Sequence, residues 1–309
     1  MNAIATGFAA GYQLVKLPHT APRLRTMIRP SPSKGEVLVR VATVGMCRTD
    51  LLVAKGSIPI CRETVLGHEF SGWIEEIGPD TPDDVRIGDL VAGDPTFPKA
   101  DGRDGFIGVD SNGALASWIV MPAARVHHAD GLAPRQAAYL EPVTAAMGGL
   151  ALAQATGGRG AILGDNRIAA LTSAVMRLAE PSVPHDLLSI DELAAEADAS
   201  LDWIIETCMS DEVVALCVRK LKAGGTLILK SRHLEALTVP VRDIVLKRIT
   251  LAGRTRSGFP EAMDWIKANP EVVAGLLGPS YDLADWEAAF EAASTGEGNK
   301  VFIDIASEF

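Results

Sequence analysis

Cysteine is scarce in this chain. Four residues, Cys47, Cys61, Cys208 and Cys217, are spread through 309 positions, too few and too irregularly spaced for a disulfide framework or a zinc knuckle. Buried apolar thiols in a reducing compartment account for such a set, so a cytoplasmic location is expected. Long apolar runs are missing too: none approaches the roughly 20 residues that span a bilayer, and no membrane partner is expected. The segment MNAIATGFAAGYQLVKLP carries no basic residue before Lys16, which argues against a signal peptide. Basic blocks are absent, and 29 basic against 39 acidic residues leave a net charge of −10. Nucleic-acid binding, which relies on phosphate neutralisation by Lys and Arg, is therefore not expected. There is no internal repeat and no low-complexity tract.

What remains is an ordinary globular composition, 48% hydrophobic and 22% charged, in a chain long enough for two domains. The first third reads as β structure. EVLVRVATV (36–44) alternates apolar and polar residues after a turn-forming Pro-Ser-Lys-Gly, and residues 70–77 and 114–121 follow the same rule. Residues 93–113, rich in Gly, Asp and Pro, read as an exposed loop without cysteine, and no long helix is expected before about Pro134. From Ala133 onward the pattern changes to strands alternating with helices: GAIL (160–163), DWIIE (202–206), TLILK (226–230) and 249–253. That alternation means βαβ units and a parallel sheet. Helix returns from about Pro260, and a strand over 300–305 ends the pattern.

Three residue types in the β-rich part form a borderline ligand set suited to Zn²⁺: Cys47 in GMCRTD, His68 in VLGHEFSGWIEEIG, and Glu141 in LEPVTAA. Three protein ligands with one open position make a catalytic site rather than a structural one. Their spacing alone says little, because a core thiol and a satisfied buried histidine are the ordinary roles of such residues. Asp50 is either a carboxylate that orients a histidine ligand or a turn residue.

The words around these residues, GMCRTD, GHEFSGWIEEIG, IGDLVAG, NGALASWIVMPA and LEPVTAA, occur in this order and together resemble the zinc-dependent medium-chain dehydrogenase/reductase family of alcohol and polyol dehydrogenases. The resemblance is strongest over residues 35–149. It implies an α/β protein: a GroES-like catalytic domain (1–145 and 266–309) enclosing a Rossmann-type dinucleotide domain (146–265). It implies zinc held by Cys47, His68 and Glu141, with Glu69 as an exchangeable ligand, and Thr49 passing the substrate proton outward. A glutamate at position 141 looks like the polyol branch. Such a centre polarises a carbonyl, or lowers the pKa of a bound alcohol towards roughly 7. Two departures stand out. Leu51 and Leu52 occupy the neighbourhood where many relatives place a relay histidine. The cysteine-free 93–113 segment leaves no site for the second, structural zinc, so one zinc is expected.

The dinucleotide fingerprint is eroded. The hexamer at the strand–helix turn is Gly164-Asp165-Asn166-Arg167-Ile168-Ala169, where G-x-G-x-x-G/A is wanted. Gly164 and Ala169 fit. Asn166 replaces the middle glycine, Asp165 puts negative charge near phosphates, and Arg167 offsets it. Arg48, after the ligand cysteine, resembles an arginine that pairs with the pyrophosphate. Asp186, about 20 residues past Gly164, stands where a ribose-binding acid is expected and would favour NAD over NADP. Pro181 and Pro184 leave room for only a short strand before DWIIE, so one strand–helix unit is expected to be missing. Lys230 and Arg232 fall at the carboxyl edge of the sheet. The reading that results is a zinc-dependent oxidoreductase moving hydride between a secondary alcohol of a polyol, sugar or cyclitol and NAD(P), assembled as a homodimer or homotetramer. The alternatives are a zinc-dependent lyase or isomerase with a vestigial nucleotide site, and a non-catalytic binding protein.

Overall fold

A computed structural model describes residues 10–231, 235–253, 256–295 and 298–305. The chain divides into two compact units, Met1–Glu141 with Ile266–Phe309, and Pro142–Trp265. The reading of Arg232 lies outside the described residues.

The first unit is organised around the strand Glu36–Gly45. It pairs antiparallel with Glu69–Ile77 on one side; on the other it meets Trp118–Pro122 along its first half and Lys300–Asp304 along its last residues. Its register with three strands explains its sequence: eight of its ten residues are buried, so apolar residues dominate both faces. Val39, Val41, Phe70, Ile74, Val91 and Ile303 build one core beneath this sheet, each burial stabilising by about 1.5–3 kcal/mol before the entropic cost of ordering. The closing strand Lys300–Asp304 also pairs with Leu277–Asp282, a strand inside the stretch that reads as helix.

Arg48–Lys55 is an eight-residue helix, consistent with the expectation of no long helix before about Pro134. It is too short for a clear apolar period but is stopped at both ends: the Asp50 carboxylate accepts from the Cys47 N–H at 3.0 Å, and Gly56 closes it in the left-handed conformation at φ 81°. The 93–113 stretch is not simply an exposed loop. Thr96–Pro98 and Asp104–Phe106 form a hairpin, and Phe106 and Ile107 are buried. Its Asp and Gly residues are turn formers: Asp94 accepts from the Thr96 N–H, and Asp110 from the Phe106 N–H.

The second unit is a five-stranded parallel sheet in the order His185–Leu188, Gly160–Leu163, Leu201–Glu206, Leu221–Leu229, Thr250–Gly253. A full doubly wound dinucleotide fold has the order 3-2-1-4-5-6; this sheet has the equivalent of 2-1-4-5-6. The third strand is lacking, as the short segment after the first helix leads one to expect, and His185–Leu188 is the edge. Gly224 and Gly225, which read as the end of a helix, lie instead within the strand Leu221–Leu229. The helix before it stops at Lys220. Cys217 is fully buried, and burial pushes its thiol pKa well up; Cys208 is raised in the same way, which fits inert core thiols. Cys61 departs from that reading, because it is exposed.

Candidate metal centre and nucleotide turn

The metal-site residues arrive on two short connections. Gly45 ends the central strand, Cys47 follows it, and the Arg48–Lys55 helix begins at once. His68 precedes the strand Glu69–Ile77, whose first residue lies opposite Gly45. One donor atom from each of Cys47, His68 and Glu69 falls within 4.8 Å of the others, and His68 and Glu69 are almost completely buried, at 1% and 2% exposure.

Asp50 organises the cluster. One carboxylate oxygen faces His68 Nδ1 at 3.2 Å and the Gly67 N–H at 3.2 Å; the other takes the Cys47 N–H at 3.0 Å. A carboxylate on Nδ1 settles the tautomer and leaves Nε2 as the ligating nitrogen. Burial opposes charging of His68, but Asp50 and Cys47 together outweigh it and hold its pKa well above the ordinary value in the metal-free chain. The Phe106 ring packs edge-on to the imidazole, with centroids 4.9 Å apart.

Lys300 is the residue that sequence reasoning missed. Its ammonium pairs with Glu69 Oε2 and lies 5.7 Å from the centre of the Tyr139 ring. Burial lowers the Lys300 pKa, but Glu69, Cys47 and Tyr139 more than reverse this and raise it. On Glu69 burial is the largest influence and raises the pKa; Lys300 opposes it, and the nearby Glu141 adds to it. The ion pair needs Gly45: a Cβ there would stand 2.7 Å from Lys300 Cε and 2.9 Å from Glu69 Oε2. The signal available in the sequence was a lysine opening a strand that otherwise reads VFID.

Glu141 lies in the first turn of the helix Leu140–Met147 and is 9% exposed. It stands outside the three-residue cluster, although its charge is felt by Glu69. The structure thus promotes Glu69 from an exchangeable ligand to a member of the cluster. Thr49 is half-buried in the first turn of the helix and Arg48 is exposed. A thiolate, an imidazole with a fixed tautomer and a carboxylate, converging at a largely buried point, suit a Zn²⁺ ion chemically.

In the second unit, Gly164 sits at the carboxyl end of Gly160–Leu163 at φ 142°. The position admits only glycine, because a Cβ would stand 2.2 Å from Thr207 Oγ1. Asn166 is the N-cap of the helix Arg167–Ala179; Arg167 opens it, and Ala169 is buried in its first turn. Asp186 is not brought to this turn. It pairs in register with Ala161, towards the amino end of the sheet, and its carboxylate is taken by Arg159 at 2.6 Å. The true carboxyl end of that strand is Leu188, and a pocket of about 380 Å³ there is lined by Gly164, Asp165, Leu187, Ser189 and Glu192. Lys230, just past Leu221–Leu229, turns its ammonium to the carbonyl of Ala145 rather than to a ligand position.

Residues 33–131 match the alcohol dehydrogenase GroES-like domain. Among curated proteins, the sorbitol dehydrogenase of Halalkalibacterium halodurans is 25% identical, with 94% of this chain and 98% of that protein covered. Two solved structures share the fold. An alcohol dehydrogenase from E. coli CFT073 in complex with NADH has a TM-score of 0.82 at 20% identity, covering 96% of this chain and 99% of the other. The 2R,3R-butanediol dehydrogenase of Bacillus subtilis has 0.80 at 19% identity, covering 95% and 99%. The GroES-like match spans the stretch that carries Cys47, His68 and Glu69, and the likeness in fold to alcohol and polyol dehydrogenases continues through the parallel sheet.

Proposed function

We propose that the protein is a zinc-dependent oxidoreductase that transfers hydride between a secondary alcohol of a polyol-like substrate and a nicotinamide dinucleotide. The observation that carries this reading is the Cys47–His68–Glu69 cluster, its histidine and glutamate buried and its cysteine half-buried, with Asp50 behind the histidine. Full-length likeness to a sorbitol dehydrogenase and to an NADH-complexed fold supports the substrate class and the cofactor. When bound, zinc supplies a Lewis acid at the substrate oxygen and the nicotinamide ring supplies the hydride acceptor.

The chain's own residues do the rest. Cys47, His68 and Glu69 hold the metal, with Glu141 as a further carboxylate beside them. Asp50 holds His68 in one tautomer and ties Cys47 and Gly67 to the same point. Lys300 opposes the upward push of burial on the Glu69 carboxyl and balances its charge within the buried setting. Thr49 carries the hydroxyl proton outward; Leu51 and Leu52 offer no further relay, so the proton passes to water. One zinc per chain is expected, because residues 93–113 carry no cysteine for a structural site. Asp165 and Glu192 beside Gly164 disfavour the extra phosphate of NADP, which makes NAD the preferred cofactor.

The test is reduction of NAD, followed by absorbance of the reduced ring, across a panel of polyols and sugar alcohols. Turnover is expected that chelation abolishes and Zn²⁺ restores. Chelator-sensitive conversion of a polyol without any nicotinamide would replace this reading with the lyase or isomerase one.

Assembly follows from the surface of the second unit. Val241, Val245 and Leu246 are more than 60% exposed on one short helix, and Leu251 is 41% exposed on the edge strand. Apolar exposure of this kind marks an interaction surface, and a homodimer or homotetramer is proposed. Light scattering is expected to give at least twice the 32.6 kDa chain mass, and Val245→Asp with Leu246→Asp is expected to shift it to the monomer; a monomeric wild type overturns the proposal.

A further inference from the structure

Pyrophosphates dock at the amino end of the first helix of a parallel dinucleotide sheet because free backbone N–H groups and the helix dipole point at them there. In this chain two of those donors are already in use. Asn166 Oδ1 accepts from the Ile168 N–H at 3.1 Å and from the Ala169 N–H at 3.0 Å. The other end of the same carboxamide is held as well: Nδ2 donates to Thr207 Oγ1 at 2.8 Å, and Thr207 Oγ1 donates to the Leu163 carbonyl at 2.8 Å. The side chain is thus clamped between the helix and the end of two strands. It lies against the turn itself, since a Cβ built on Gly164 would be 2.7 Å from Asn166 Nδ2. Asp165, exposed, and Glu192 line the adjoining pocket; Arg167 is the cation that follows in the chain.

We infer that the Asn166 carboxamide occupies the phosphate position as a built-in stand-in, so that a dinucleotide binds only by displacing it from the helix cap and from Thr207. Asn166 is then the residue that sets cofactor affinity. The inference rests on the hydride-transfer reading above and deepens it: the cofactor's phosphates compete with an internal ligand before they gain any contact. A glycine at 166 removes the competitor and costs the helix little, because glycine is itself an acceptable N-cap. An aspartate keeps the cap but confronts phosphate with a carboxylate.

The experiment is calorimetric titration of the zinc-loaded full chain with NADH, ADP-ribose and adenosine, for the wild type, Asn166→Gly, Asn166→Asp and Thr207→Val. Asn166→Gly is expected to bind NADH and ADP-ribose about tenfold tighter, with adenosine unchanged, since adenosine brings no phosphate. Asn166→Asp is expected to bind both about tenfold more weakly. Thr207→Val removes the 2.8 Å acceptor of Nδ2, leaves only its 3.4 Å contact with the Thr207 carbonyl, and keeps the cap; it is expected to tighten NADH a few-fold and carries the test if thermal melts show Asn166→Gly unfolded. A merely structural role predicts no tightening in Asn166→Gly and no phosphate-selective loss in Asn166→Asp, which keeps the cap. If the wild type binds NADH and neither Asn166→Gly nor Thr207→Val binds it tighter, the stand-in is overturned while the hydride-transfer reading survives. If no form binds NADH at millimolar concentration, both fall together.

Discussion

His68→Ala and Cys47→Ser are each expected to lose bound zinc and to lower kcat/KM by about 10³-fold or more. The size follows from the several kcal/mol that a Lewis-acid metal contributes to a transition state, at roughly 1.4 kcal/mol per factor of ten. Both residues lie in the cluster whose donor atoms meet within 4.8 Å, and neither loss can be made up by a neighbour of the same chemistry. Asp50→Asn is the graded member of the series. It keeps the shape but weakens the partner of His68 Nδ1, and an amide can present its N–H₂ to a ring nitrogen that is itself a donor. Metal affinity should fall about 10–100-fold, the usual cost of losing such a partner. Elemental analysis after dialysis against a chelator buffer, beside steady-state kinetics, separates the cases. Full zinc occupancy in His68→Ala would mean that the metal sits elsewhere.

Lys300→Met is expected to be the most destabilising single change near the site in the metal-free protein. It removes the cation from a carboxylate that is 2% exposed while the lysine itself is only 10% exposed. Breaking one half of a buried ion pair typically costs about 3–5 kcal/mol, because the remaining charge has no solvent. For a protein of this size that corresponds to a melting point lower by roughly 10 °C. The double variant Lys300→Met with Glu69→Gln should recover most of the loss, since a neutral amide no longer needs the ammonium. Scanning calorimetry of the wild type, the two single variants and the double variant measures the coupling directly. Equal melting points for Lys300→Met and the double variant would show that the pair is not the source. Saturating zinc should narrow the gap, because a metal ligated by Glu69 supplies positive charge that Lys300 no longer provides.

Much of this site is legible along the chain because its parts are local. Cys47 follows directly on a strand written in alternation, and His68 and Glu69 open the next one, so backbone periodicity delivers both to one end of the same antiparallel pair. Asp50 lies within a turn of Cys47, and its role could be named in advance as one of two. The missing third strand of the nucleotide sheet could be counted, because the segment before DWIIE has length and prolines for one short strand only. Asp186 was misjudged because counting residues from Gly164 measures chain length, not height along the strand. The strand starts late, after Pro184, so position 186 falls near its amino end and pairs with Arg159.

The amino-acid sequence by itself determined the two kinds of sheet, the order of the two units, and the thiol and imidazole that meet in the Cys47–His68–Glu69 cluster. The sheets and the order of the units follow from hydrophobic period, and the cysteine and histidine from motif words that resemble those of the dehydrogenase family. Only the tertiary structure decided that Lys300 closes on Glu69, that Glu69 rather than Glu141 joins the cluster, and that Asn166 turns back to cap its own helix. Those outcomes depend on register between strands more than 200 residues apart, on where a glycine leaves room for two charges, and on which hydrogen-bond partner lies nearest once water is gone. Burial makes such choices strict, because a charge or a donor left without a partner there is too costly to keep.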